Sequence, residues 1–330
     1  VLNQFQREKG DEISDPGEMG NLRKETAPID PNGRLECDDS ELLNAYRRRS
    51  YQRYMGIAVW IVQLGRIDIC YATQALGRYT HAPREGHMKA MRKLFGFLKS
   101  NPRRFICVNP EDITGYPDRP DNQMAGMRKA YPWAHEERST REPKPLGKGC
   151  QLSMLSDASH GSDKNDYRSV TGMILFYGST PIFWRSKRQT VTAGSTFEAE
   201  YIAMKNAVDE VMATRFLLRS LGIPVVGATP LYGDNLGMIQ NACKYSSPLK
   251  KKHLAICYHR CREAIAAGIV DVGHIDTGMN LADICTKALT GPDIERLANA
   301  VIPRLSEVAR IMDPNNLSKK CKKSEKSQVE

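Results

Sequence analysis

The 330-residue sequence has no long apolar run. Its longest, Gly56 to Val62, stops at Gln63, well short of the roughly 20 residues that cross a bilayer, and this excludes a membrane-spanning helix. Nine cysteines occur without a C-x-x-C pair. A secreted disulfide scaffold is therefore excluded, and the thiols read as reduced and mostly buried. With 25 glycines and 18 prolines the chain is neither collagen-like nor of low complexity. It also has no apolar leader: Val1 is followed by Gln4, Gln6, Arg7, Glu8 and Lys9. That opening reads as part of a longer polyprotein, with a cytoplasmic or nuclear setting and no secretion.

What is present is an ordinary globular composition, 41% hydrophobic and 26% charged, long enough for two structural units. Lys+Arg 48 against Asp+Glu 38 leaves a net charge of +10. A basic excess of this size favours a polyanionic partner, with nucleic acid first.

Five segments emerge from the pattern. Residues 1–42 mix Asp, Glu, Gly, Pro and Asn without periodicity and are expected to be a flexible lead-in. Residues 43–107 carry helical spacing through Tyr54, Ile57, Ala58, Ile61 and Val62, then Ile69, Ala72, Ala75, Leu76 and Tyr79, then Met91, Leu94, Phe95 and Leu98. Breaks at Arg66 and Pro83 predict three short helices. Residues 108–149 hold Pro110, Pro117, Pro120, Pro132, Pro143 and Pro145 and read as a linker or insertion. Across 150–290 short β-type runs alternate with helical ones, as in a mixed α/β architecture: strands at Leu152–Asp157, Ser169–Tyr177, Pro181–Trp184, Leu231–Gly233 and Ile269–His274. Helices are expected from Ser195 or Thr196 to Leu221, after Gly233, over Lys252–Ala267, and over Asn280–Leu289. The extension 291–330 ends in a basic tail with Lys319, Lys320, Lys322, Lys323 and Lys326.

Asp157 at the end of the first strand, Asp234 after the fourth and Asp283 at the start of the last helix fall where α/β folds place ligands. A fourth carboxylate comes from the long helix, where Glu198 and Glu200 compete. Glu200 shares a face with Met204, Ala207 and Val211, whereas Glu198 lines up with Ile202, Lys205 and Asp209. Glu200 is thus the one aimed at the sheet. Converging carboxylates raise one another's pKa unless cations neutralise them, and hard oxygen ligands suit Mg²⁺ or Mn²⁺. Two such ions can drive phosphodiester hydrolysis.

The motifs that carry a resemblance lie along the same stretch. They are Ser156-Asp157-Ala158, Arg168-Ser169-Val170-Thr171-Gly172, Trp184-Arg185-Ser186-Lys187-Arg188-Gln189, Ser195-Thr196-Phe197-Glu198-Ala199-Glu200-Tyr201, Gly233-Asp234-Asn235, Lys252-His253 with Tyr258-His259, and Ala282-Asp283-Ile284-Cys285-Thr286-Lys287. In order and spacing, over roughly 150–290, this resembles the C-terminal part of the polyprotein of Copia-type long-terminal-repeat retrotransposons: the end of the reverse transcriptase plus its RNase H domain. Upstream, Gly65-Arg66-Ile67-Asp68-Ile69 and Pro83-Arg84-Glu85-Gly86-His87 resemble that family's connection or thumb-like segment. No aromatic-x-Asp-Asp polymerase motif occurs, so no polymerase palm is expected in this chain.

The resemblance implies an α/β fold, an RNase H-like five-stranded mixed sheet flanked by helices, preceded by a small helical unit. It also implies cleavage of the RNA strand of RNA–DNA hybrids with two Mg²⁺ ions, with Mn²⁺ as a substitute. Asp157, Glu200, Asp234 and Asp283 take the metal-ligand and catalytic positions. Trp184, Lys187, Arg188 and Gln189, together with Arg168, Ser169, Thr196 and Asn235, are expected to meet nucleic acid. Glu198 and His274 are secondary candidates, the latter for proton or product handling. Partners are the hybrid and the upstream reverse transcriptase and integrase parts of the same polyprotein, in the cytoplasm, in virus-like particles or in the nucleus. The alternative is an inactive relic that only binds nucleic acid. A zinc site at His253, Cys257 and Cys261 is disfavoured, because no second ligand pair has the spacing.

Overall fold

The protein is described by a computed structural model covering residues 19–109, 111, 116–117, 123–149, 151–249, 251–304 and 307. The start of the lead-in at 1–18, Lys250 and the basic tail lie outside the described residues. The chain divides into two compact units, 1–104 with 288–296, and 105–287 with 297–330.

The first unit is helical, as expected. Helix α1 spans Ala45–Gln63, α2 Cys70–Gly77 and α3 Glu85–Ser100. The side chain of Asn44 caps α1 by accepting from the Arg47 amide at 3.0 Å, so the helix begins nine residues before the periodic stripe that opens at Tyr54. Gly65 then takes a φ of 105°, a left-handed turn that suits glycine. After it, Arg66 forks onto buried Asp68 through two bonds of 2.9 Å. This explains why the Arg66-Ile67-Asp68 motif sits at the break. Part of the segment read as flexible is held in place: Asp38 accepts from the His87 amide at 3.1 Å and Ser40 from the Gly86 amide at 3.0 Å, capping α3 from a distance.

The second unit carries α4 at Gln123–Arg128 and strands β1 Leu152–Ser159, β2 Val170–Tyr177, β3 Thr180–Arg188, β4 Thr229–Gly233 and β5 Val270–His274. Helix α5 runs Thr196–Ser220, α6 Leu236–Cys243 and α7 Ala255–Ala266, while the last helix, α8 at Gly291–Val301, counts with the first unit up to Arg296 and with the second from Leu297. The strand order is β3-β2-β1-β4-β5. β1, β2 and β3 form an antiparallel meander turning at Gly178, whose φ is 59°, while β4 and β5 run parallel to β1. This is the expected five-stranded mixed sheet flanked by helices.

Met154 and Leu231 of the sheet pack in one core with Tyr201, Met204 and Val208 of α5 and with Cys261 and Ile265 of α7. The region read as a linker also contributes. Met127 and Tyr131 are buried in that core, the Gln123 amide group bridges the backbone of Val272 (2.7 and 3.0 Å), and Glu136 pairs with buried Arg215 at 2.7 Å.

Elements near the candidate site differ from expectation. β1 runs on to Ser159, so Asp157, expected to end the strand, lies two residues inside it. β3 extends to Arg188, four residues past the expected end, because it pairs with β2 along that strand's whole length, from Tyr177 back to Val170. The helix expected at Asn280–Leu289 is only a 3-10 turn at Leu281–Cys285. Asn280 caps the start of that turn and ties it to the sheet: its Oδ1 accepts from the Ala282 amide at 3.2 Å, and its Nδ2 donates to Ser156 O on β1 at 3.0 Å.

Candidate metal centre and nucleic-acid face

Asp157 lies within β1 opposite Gly172 of β2, and Asp234 follows β4, the parallel neighbour of β1. The Ser195 side chain caps α5 and starts that helix so that Glu200, in its second turn, turns back to the sheet, where Glu200 Oε1 accepts from the Ala158 amide at 3.3 Å. One oxygen each from Asp157, Glu200 and Asp234 lies within 4.8 Å of the others. Among the described residues this is the one such group of His, Cys, Asp and Glu.

Asp283, on the 3-10 turn, stands beside Asp157 and raises its pKa. Thr286 of the same segment donates to Asp157 Oδ2 at 2.5 Å, and Lys287 pairs with Asp283 at 2.9 Å. The turn reaches the sheet because Gly172 has no side chain. A Cβ there would come within 2.4 Å of Thr286 Cγ2 and 2.8 Å of Ala282 O. We expect Gly172→Ala to push the Asp283 turn off β2, costing about 1–3 kcal/mol of stability in chemical denaturation and lowering metal uptake measured in parallel.

The electrostatics follow from crowding. Burial first, then the charges of Asp157 and Asp234, push the Glu200 carboxyl up to about 9. Burial and Asp283 raise Asp157, and burial and Asp157 raise Asp234. Glu200 Oε2 is buried with no hydrogen-bond donor, and so is Asp283 Oδ1. Oxygens left this way are costly unless something positive meets them. The donor set is all carboxylate oxygen, which fits a hard divalent cation rather than a soft one.

Glu198 lies outside the group. It is 2% exposed rather than solvated, because Gly194 N donates to it at 2.9 Å, His253 Nε2 lies 3.0 Å away, and the Lys251 ammonium pairs with it. Burial opposes its ionisation, but Lys251, Gly194 and His253 outweigh burial and hold it at about 2. His253 is thereby committed to Glu198, while burial raises the Cys257 and Cys261 thiols. His274 Nε2 lies 3.1 Å from Asp234 O, at the rim of the acidic group.

Of the residues expected at nucleic acid, Lys187 and Thr196 are exposed, and Arg168, Trp184, Arg188 and Asn235 are partly so. Arg188 pairs with Asp166 and Asp163, and Asn235 caps α6 by accepting from Met238 N at 3.0 Å. Ser169 and Gln189 are buried. The Gln189 side chain donates to Thr171 Oγ1 at 3.0 Å and to Ala199 O at 2.9 Å, tying β2 to the first turn of α5. The Thr286 hydroxyl and the Lys287 ammonium also belong to this centre, though no expectation placed them there; their positions three and four residues after Asp283, one turn on, are the available signal.

No protein-family model matches the chain. It is 27% identical over 278 residues to the retrovirus-related Pol polyprotein from transposon RE1 of Arabidopsis thaliana, covering 84% of this chain and 16% of that protein. To the corresponding polyprotein from transposon RE2 of the same plant it is 28% identical over 225 residues, covering 68% of this chain and 13% of that one. The crystal structure of an RNase H1 from the archaeon Halobacterium salinarum aligns with a TM-score of 0.32 and 16% identity, covering 41% of this chain and 94% of that one. These homologues are retrovirus-related Pol polyproteins, and the chain spans less than a fifth of either of the two plant proteins.

Proposed function

We propose, starting from that homology to transposon Pol polyproteins, that the second unit is a ribonuclease H that hydrolyses the RNA strand of RNA–DNA hybrids during reverse transcription. The observation that carries the reading is the convergence of Asp157, Glu200 and Asp234 within 4.8 Å, with Asp283 beside them, on an RNase H-like sheet.

Asp157, Glu200, Asp234 and Asp283 would together hold two Mg²⁺ ions. When bound, divalent cations there supply activation of water and stabilisation of the leaving oxygen. The protein's own groups do the rest. Thr286 fixes the rotamer of Asp157. The Ala158 amide fixes Glu200, which orients water near the 2′-hydroxyl. His274, anchored on Asp234 O, is placed to handle a proton or product at the rim. Lys187, Arg188, Arg168, Trp184, Thr196 and Asn235 would meet the hybrid's backbone and sugars. Ser169 and Gln189, being buried, would act by holding those strands in place. The upstream reverse transcriptase and integrase parts of a longer polyprotein are the proposed protein partners, and the cytoplasm, virus-like particles or the nucleus the proposed setting.

The test is cleavage of a labelled RNA–DNA hybrid by the 330-residue chain in Mg²⁺, beside duplex RNA and duplex DNA. Hybrid-specific cutting that ceases in EDTA is expected. Hybrid binding without any cutting would instead make the chain an inactive nucleic-acid-binding relic.

A further inference from the structure

Lys287 is the group at this centre to which the proposed chemistry gives no part. Its Nζ lies 2.9 Å from Asp283 Oδ2, four residues back, and its side chain is 42% exposed. Asp157 and Asp234 also attract the ammonium. The five residues Asp283 to Lys287 therefore deliver a carboxylate, a hydroxyl and a cation to one place.

In a protein without metal, this cation offsets part of the repulsion among the carboxylates. Its effect reverses when a divalent cation arrives at Asp283, since two positive charges would then sit within a few ångströms of each other at partly reduced dielectric. If the ammonium swings out, its pairing with Asp283 is lost; if it stays, it repels the metal. Both routes weaken uptake.

We propose that Lys287 is a resident counter-cation that competes with the divalent metal for Asp283 and so sets the metal concentration at which the centre fills. This rests on the reading of the four acids as metal ligands. Lys287 acts through Asp283 and is thus a positioning residue. Its exposed stem gives it room to leave without disturbing the 3-10 turn, which Asn280 holds independently.

The test is calorimetric titration of the 330-residue chain with Mn²⁺, without nucleic acid, for the native protein, Lys287→Met and Lys287→Arg. Lys287→Met should bind at least about fivefold more tightly, Lys287→Arg should match the native chain, and in EDTA the Lys287→Met protein should melt below the native one. Native-like or weaker binding by Lys287→Met, with the native chain binding normally, would overturn the competition and leave the metal reading standing. Failure of every protein to bind Mn²⁺ at millimolar concentration would overturn the metal reading and this inference with it. Lys287→Gln, run through the same titration, decides the matter if circular dichroism shows the Met variant unfolded.

Discussion

Asp157→Asn should abolish hybrid cleavage while leaving the fold intact. Asp157 is the carboxylate that the other three surround: it lies within 4.8 Å of Glu200 and Asp234 through one oxygen each, and Asp283 stands beside it. Replacing it by an amide keeps the shape and the acceptor for the Thr286 hydroxyl but removes a charge. On the proposed function Asp157 holds metal, and losing such a ligand forfeits several kcal/mol of transition-state stabilisation, so the rate should fall on the order of 1,000-fold or more. Stability should move the other way. In EDTA the substitution removes a buried, mutually repelling charge, and the variant should melt at or above the native temperature. A variant that melts well below the native protein would show Asp157 to be structural instead.

The second large effect is on stability against pH. Glu200 is held protonated up to about 9 by burial and by its acidic neighbours, while an unfolded glutamate ionises near 4.3. Between those values the folded, metal-free chain holds more protons than the unfolded one, so its stability is full below the unfolded pKa and declines as pH rises through the folded one. Asp157 and Asp234, also raised, add to the same slope. In EDTA the melting temperature should therefore fall from pH 5 to pH 9. Mg²⁺ should restore it, by more at higher pH, and Glu200→Gln should flatten the slope. A melting temperature in EDTA that is flat or rising across that range would contradict the crowding of these acids.

Helical periodicity alone separated Glu200 from Glu198, two residues away on α5. It worked because the stripe through Met204, Ala207 and Val211 does pack against the sheet. The same periodicity sets Glu198 with Ile202, Lys205 and Asp209 and says nothing of its burial, because Lys251 and His253 arrive from more than fifty residues away to cover it. Distant partners likewise hid the role of residues 123–149. Pro132, Pro143 and Pro145 spoil any regular pattern, yet Gln123 and Glu136 are seated by Val272 and Arg215. Local winding was overread at Asp283. The run from Asn280 to Leu289 has helical spacing, but the segment is tied to the sheet at both ends, by Asn280 on Ser156 and by Thr286 on Asp157, and only a 3-10 turn forms between them. Gln189 and Ser169 looked like surface contacts because polar residues near a basic strand usually are. Their burial reflects the hydrogen bonds they make to Thr171, Ala199 and Gly161.

The segment bearing Gln123 and Glu136 also has a history that the finished fold conceals. It leaves the ribosome before any strand of the sheet, while Gln123 must wait for Val272, 149 residues on, and Glu136 for Arg215, 79 residues on. Such long-range closures come late, because chain entropy is lost before the contact forms. Until β5 has been synthesised, Met127 and Tyr131 have no complete core to enter. That interval during translation, more than the folded state, is when the apolar side chains of this segment stand uncovered.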